Sequence, residues 1–81
     1  MQNKAPWENR LFQLTRKGSD ALNKFSEGES VNLDVYEIKI LTMLKEQYLP
    51  FYEIDDDLDI GTQGAYSAVK HLEDEGYIIN E

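Results

Sequence analysis

The chain has 81 residues, of which 41% are hydrophobic and 30% are charged, with two prolines and five glycines. This composition is typical of a folded domain and excludes a disordered tail, and the length leaves room for one domain, residues 1–81, whose core is marginal for a monomer. The absence of cysteine excludes disulfides, thiol catalysis and the usual cysteine-based metal sites. We therefore expect a protein that is not secreted. Because the core is marginal for a monomer, we also expect a homodimer.

The net charge of −8 lies entirely in the second part of the chain. Residues 1–49 hold seven acids and seven bases, whereas residues 50–81 hold nine acids and one lysine. Such a negative surface repels phosphate backbones and favours basic partners. The sequence shows no secretory leader and no apolar run near the roughly 20 residues that a membrane span needs. We expect a cytoplasmic protein with no membrane partner.

The first third of the chain is predicted to contain a frayed start, a strand and a short helix. Residues 1–6 form the frayed start, and residues 7–14 have the aromatic content and partial alternation of a strand. Thr15 is a suitable N-cap for a helix over residues 16–25, and Gly18 weakens the first turn of that helix. The polar residues 26–32 are predicted to be a loop.

The strongest helix prediction covers residues 33–48. Asp34 and Glu37 have the spacing of a capping box, in which each side chain accepts the other's backbone N–H. Pro50 prevents simple continuation of the helix. The apolar stripe of this helix has helical spacing and consists of Val35, Ile38, Ile40, Leu41, Leu44 and Tyr48.

A second pair of helices is predicted after Pro50. A short helix over residues 51–58 directs Phe51, Ile54 and Leu58 inward, and residues 59–61 form a turn. A longer helix over residues 62–75 follows and ends at Gly76, because glycine suits the left-handed position after a helix. Residues 77–80 are predicted to be a strand. The buried face of the longer helix consists of Ala65, Ala68 or Val69, and Leu72.

This order of elements is that of a winged helix-turn-helix, an α+β fold that is mostly helical. Over about 47 residues from Leu33 onward, the chain resembles the core of MarR- and PadR-like transcriptional regulators. The most specific part of the resemblance is Leu72-Glu-Asp-Glu-Gly-Tyr-Ile78. The resemblance implies that the longer helix enters the major groove of DNA and that the following run leads into a wing.

The chain departs from those regulators at the wing. There, the strand after the glycine turns through a wing and returns as a second strand followed by a helix. Here the sequence stops at Glu81, but residues 10–18, Arg-Leu-Phe-Gln-Leu-Thr-Arg-Lys-Gly, resemble the returning strand and the helix start. We therefore predict that residues 7–14 pair antiparallel with residues 77–80 in a small two-stranded sheet, and that deletion of residues 1–14 unfolds the domain.

If the longer helix binds double-stranded DNA, its outward side chains supply donors and acceptors for base edges and phosphates. These candidates are Thr62, Gln63, Tyr66, Ser67, Lys70 and His71. Candidates for contacts to the DNA backbone are Arg10, Arg16 and Lys17. The alternative interpretation is a solvated helix face. Because basic contacts to phosphate supply most of the affinity, we expect binding to be weak or to depend on the dimer.

An acidic run precedes the longer helix and predicts an alternative function. It consists of Glu53, Asp55, Asp56, Asp57 and Asp59. This acidic face would be the docking surface for a basic protein in a module that does not bind DNA.

Neither a metal site nor an active site is predicted. Three aspartates of the acidic run match the first ligands of an EF-hand loop, but Ile60 and Tyr66 stand where that loop requires glycine and glutamate. The single histidine, His71, lies four residues after Ser67, but no third group orients the pair for catalysis. We therefore expect no cofactor and no enzymatic activity.

Overall fold

Within residues 10–80, which a computed structural model describes, the chain forms four helices and three short strands. The predicted frayed start at residues 1–6 and the first part of the predicted strand, residues 7–9, lie outside the described residues. In chain order the elements are β1 (Leu11–Leu14), α1 (Arg16–Ser26), α2 (Val35–Glu46), β2 (Leu49–Pro50), α3 (Phe51–Leu58), α4 (Thr62–Asp74) and β3 (Ile78–Asn80).

The three strands form an antiparallel sheet in the order β2-β1-β3. In this register Phe12 lies opposite Leu49 on one side and opposite Asn80 on the other. The predicted pairing of the N-terminal and C-terminal strands is confirmed, but the prediction of only two strands is wrong. Two residues are too few to show alternation, so the sequence pattern does not mark β2. Its Pro50 is tolerated because β2 is an edge strand.

Side-chain caps determine where α1 and α2 begin. As predicted, the hydroxyl of Thr15 accepts the backbone N–H of Gly18, at 3.2 Å. The predicted capping box is also present, because the Asp34 carboxylate accepts the Glu37 N–H at 2.8 Å and the Glu37 carboxylate accepts the Asp34 N–H at 3.0 Å. These bonds satisfy N–H groups that have no partner within the helix.

The helix α2 is shorter than predicted, and its buried stripe is narrower. The backbone at Gln47 is extended (φ −164°, ψ 160°), which ends the helix and directs the chain into β2. Val35 and Tyr48 are predicted to be buried, but 73% and 57% of their surfaces are exposed. The prediction is wrong at these two residues because they lie at or beyond the helix ends, where helical spacing no longer determines the side-chain direction.

The helices α3 and α4 are joined by the predicted turn. The bounds of α3 are those predicted, and α4 ends one residue earlier than predicted. Asp59 and Gly61 in the turn have positive φ angles of 53° and 92°. Glycine adopts such angles without strain, and aspartate is among the residues that tolerate them best.

The end of α4 directs the chain back to the sheet. Gly76 has the predicted left-handed conformation, with φ 85°. The N–H groups of Gly76 and Tyr77 donate to the carbonyl oxygens of Glu73 and Leu72, at 3.0 Å and 2.9 Å, which is the Schellman arrangement. The strand β3 begins directly after it.

The buried apolar residues form one cluster to which every helix and every strand contributes. Its largest fully buried side chains are Phe12, Ile40, Leu41, Ile54, Val69, Leu72 and Ile78. Within the described residues, none of the helices has the length and apolar character that crossing a membrane requires.

Candidate nucleic-acid interface

One face of α4 lies in the core and the opposite face is open to solvent. Ala65, Val69 and Leu72 are fully buried against the rest of the domain. Of the six side chains predicted to contact DNA, Lys70 is half-buried and the other five, Thr62, Gln63, Tyr66, Ser67 and His71, are exposed. All six side chains therefore lie on the part of α4 that faces away from the core.

Three of these six side chains already bond to carboxylates of the protein itself. The Thr62 hydroxyl donates to Asp55 at 2.9 Å, and the Lys70 ammonium donates to Glu73 at 3.3 Å. His71 Nδ1 is hydrogen-bonded to Glu37 Oε2. A phosphate or a base edge would have to compete with these acids or accept a second bond from the same groups.

Carboxylates also change the acidity of the two basic groups on α4. The hydrogen bond that Lys70 donates to Glu73, assisted by the charge of the carboxylate, raises the pKa of Lys70. The hydrogen bond between the His71 ring and the Glu37 carboxylate, again assisted by charge, raises the pKa of His71 above its usual 6.5. Both groups are therefore held in their cationic form to a higher pH than usual, but their charge is directed at protein carboxylates.

Glu37 makes two hydrogen-bonding contacts, and the sequence pattern marks only one of them. The side chain is almost fully buried, and it serves both the capping box of α2 and the bond to His71 on α4. The spacing of the capping box marks the first contact because both partners lie within one turn. The second contact joins residues 34 positions apart, and nothing in the local pattern marks it.

The three basic candidates outside α4 lie around the start of α1 and the adjoining strand. Arg16 is exposed, and Arg10 is half-buried just before β1. The Lys17 ammonium donates to the Glu75 carbonyl oxygen at 2.5 Å and lies 4.5 Å from the centre of the Tyr77 ring. The structure thus brings Lys17 to the junction between α4 and β3, although Lys17 and Glu75 are 58 residues apart in the sequence.

No pattern in the sequence predicts the close contact between α1 and this junction. The Thr15 hydroxyl lies 2.6 Å from the Gly76 carbonyl oxygen and 2.9 Å from that of Tyr77. At Gly18, a Cβ atom would lie 2.3 Å from the same Tyr77 oxygen. The glycine is required by this close approach, which holds the first turn of α1 against the end of α4.

The acidic face lies along α3 and the turn after it. Four of its five carboxylates are exposed, and Asp55 is half-buried beside Thr62. Across residues 10–80, we find no group of three or more acidic or histidine side chains placed to hold a metal ion.

An open groove of about 860 Å³ runs between α2 and α3. We call it the α2–α3 groove. Its described lining residues are Lys39, Thr42, Met43, Glu46, Gln47, Leu49, Tyr52, Glu53, Asp56 and Asp57. Three members of the acidic face, Glu53, Asp56 and Asp57, belong to it, whereas Asp55 and Asp59 do not.

Comparison of the chain with family models, with curated proteins and with solved structures finds no match.

Proposed function

We propose that this chain is a non-enzymatic, DNA-binding regulatory protein of winged-helix type that acts as a homodimer. The observation that carries the proposal is the α3–turn–α4 unit. Its second helix buries Ala65, Val69 and Leu72 and leaves Gln63 and Ser67 exposed on the opposite face. A recognition helix needs this division, because one face anchors the helix while the other contacts base edges.

The sheet supports the winged-helix interpretation. In the regulators that the sequence resembles, a strand returns from the wing beside the strand that follows the glycine, and a helix comes next. Here β1 lies antiparallel to β3, and α1 follows β1 directly. We infer that β1 and α1 take the place of the returning strand and helix in permuted chain order.

The distribution of charge predicts weak binding by one protomer. Contacts from lysine and arginine to phosphate dominate the affinity of proteins for DNA. Lys70 is paired with Glu73 and Lys17 donates to a carbonyl oxygen, while Arg16 is exposed at the start of α1. A homodimer would present each of these cations twice, and this is why we propose that the dimer is the DNA-binding form.

Fluorescence anisotropy with a labelled mixed-sequence duplex, measured over a series of salt concentrations, tests the proposal. We expect binding that weakens with salt, because counterions are released from the phosphates. Arg16→Gln should weaken binding and reduce the slope of log affinity against log salt by about 0.9 for each phosphate that is no longer neutralised. Lys24→Gln removes the same charge from an exposed position late in α1 and serves as the matched control.

Two further results bear on the recognition helix and on the dimer. Gln63→Ala combined with Ser67→Ala should weaken binding while leaving the salt slope unchanged, because neither residue carries a charge. Light scattering should show a dimer under the conditions in which DNA is bound. Absence of binding at low salt would contradict the proposal.

A second candidate function is an acidic winged-helix module that binds a basic protein and not DNA. It is favoured by the three carboxylate bonds on the outer face of α4, which occupy Thr62, Lys70 and His71. Nine of the chain's acids also lie in residues 50–81. Failure to bind DNA at low salt, together with salt-sensitive binding of a basic protein, would support this candidate instead.

A further inference from the structure

The apolar lining residues of the α2–α3 groove are Met43, Leu49 and Tyr52, and we call them its floor. Leu49 is buried, Met43 is half-buried, and Tyr52 has 58% of its surface exposed. Along α2 the lining positions recur at three- and four-residue spacing from Lys39 to Glu46, so the wall extends for about 10 Å at 1.5 Å per residue. This length and shape suit two turns of a helix lying in the groove.

Charged residues line the rim of the groove, and most of them are acidic. Glu46, Glu53, Asp56 and Asp57 face a single base, Lys39. The ammonium of Lys39 is 4.0 Å from the Asp57 carboxylate, so this base is already paired. The rim therefore carries an excess of three negative charges. It repels nucleic acid and acidic segments and attracts cationic ones.

We propose that the α2–α3 groove binds a cationic amphipathic helix of a partner protein. The apolar face of the partner helix would cover Met43, Leu49 and Tyr52, and its lysines or arginines would bond to the rim carboxylates. All the lining residues precede α4, so the proposal does not depend on whether α4 binds DNA. It shares part of the acidic face with the second candidate function and rests on that function only to this extent. It adds a defined site, the α2–α3 groove, and the chemistry of the partner.

The probe is a fluorescently labelled synthetic helix of about four turns, with leucines on one face and lysines on the other. Its companion carries glutamates in place of the lysines. We expect the full chain to bind the lysine peptide and not the glutamate peptide. In a heteronuclear NMR titration, the amide shifts should concentrate between Lys39 and Asp57.

Two groove variants test the rim and the floor. Glu53→Gln combined with Asp56→Asn should weaken binding of the lysine peptide by about three- to tenfold, as expected for two exposed charge pairs. Tyr52→Ala should weaken it by about threefold or more, since aromatic residues contribute strongly to such contacts. Both variants change exposed side chains, and circular dichroism should show an unchanged fold.

The chain offers a matched control for each variant. Asp55→Asn combined with Asp59→Asn removes the same charge from the same acidic face outside the groove, and an amide oxygen at position 55 can still accept the Thr62 hydroxyl. Tyr48→Ala removes a tyrosine that is as exposed as Tyr52 but does not line the groove. We expect both controls to bind the lysine peptide within about twofold of the parent chain, as surface changes outside a contact do.

Three results would overturn the proposal. Binding could be absent, or the charge control could weaken it as much as the groove variant does. The latter would assign the peptide to the acidic face in general, which supports the second candidate function and not the groove. A change in oligomeric state of the Glu53→Gln and Asp56→Asn variant, seen by light scattering, would assign the groove to a second copy of the chain.

Discussion

Among single residues, Gly18 shows how a close contact can override helix propensity. Glycine within a helix costs roughly 0.5–1 kcal/mol relative to alanine, so propensity alone favours its replacement. The position does not permit this, because a Cβ atom would lie 2.3 Å from the Tyr77 carbonyl oxygen and 2.8 Å from the Leu14 side chain. The backbone oxygen accepts bonds from Thr15 and cannot move away without breaking them.

We predict that Gly18→Ala lowers the free energy of unfolding by about 1–3 kcal/mol, the usual cost of forcing atoms into a packed site. Ser19→Ala is the matched control, because Ser19 is the next residue of the same helix and is exposed. It should leave stability within about 0.5 kcal/mol of the parent chain. Denaturant unfolding measures both. A Gly18→Ala chain that is more stable than the parent would mean that propensity dominates.

The bond between Glu37 and His71 links stability to pH. The pKa of His71 in the folded chain is raised above 6.5, so the folded state binds a proton that the unfolded state has released at intermediate pH. The stabilisation is therefore complete below pH 6.5 and disappears as pH rises through the folded value.

We predict that the free energy of unfolding of the parent chain falls as pH rises from about 6 through the folded pKa of His71. His71→Gln should remove this part of the pH dependence, because glutamine does not titrate. His71 is the chain's single histidine, so its imidazole NMR signals can be followed without assignment. A midpoint at or below 6.5 would contradict the prediction.

Among the helices and strands, α2 is positioned by a local signal, its capping box. Asp34 and Glu37 satisfy two backbone N–H groups at the start of the helix, at 2.8 Å and 3.0 Å. The same start places Ile38 and Leu41 in the core. Removal of the cap therefore weakens the first turn of α2, which leads directly into the buried face of the helix.

We predict that Asp34→Ala lowers the free energy of unfolding by about 1 kcal/mol. Asp34→Ser should retain most of the stability of the parent chain, because serine can also cap. Glu29→Ala serves as the control, since Glu29 is an exposed acid in the loop before α2. Thermal and denaturant unfolding should rank the chains in that order. Equal destabilisation in the alanine and serine variants would show that charge, and not capping, stabilises this position.

In the molecule as a whole, β1 holds the two ends of the described chain together. It lies between β2 and β3 and pairs with both. Its Phe12 is fully buried in the common core. Removal of β1 would leave two separate strands of two and three residues, which cannot pair with each other in this sheet order.

We predict that deletion of residues 1–14 abolishes the cooperative thermal transition. Truncation of a buried phenylalanine alone costs about 3–5 kcal/mol, and the total stability of small domains is only about 5–15 kcal/mol. Phe12→Ala should therefore lower the melting temperature strongly, while Leu11→Ala, at an exposed position of the same strand, should change it little. A truncated chain with unchanged far-ultraviolet dichroism and melting would contradict the central position of β1.

Features that depend on near neighbours follow from the sequence alone. The caps at Thr15 and Asp34, the bounds of α3, the turn before α4 and the left-handed Gly76 all arise from spacing within one or two helical turns. The pairing of β1 with β3 is also predicted, because residues 10–18 resemble a strand and helix that belong beside the C-terminal strand.

Apart from the pairing of β1 with β3, the features that join distant residues required the three-dimensional fold. The fold adds β2 to the sheet, places Lys17 against Tyr77, joins Glu37 to His71 and makes Gly18 necessary. It also forms the α2–α3 groove from two helices and the chain between them. These features escape the sequence because hydrogen bonds and packing act over a few ångströms in space, whereas a sequence pattern records only spacing along the chain. The outer face of α4 could be named from helical spacing, but the carboxylates that occupy it could not.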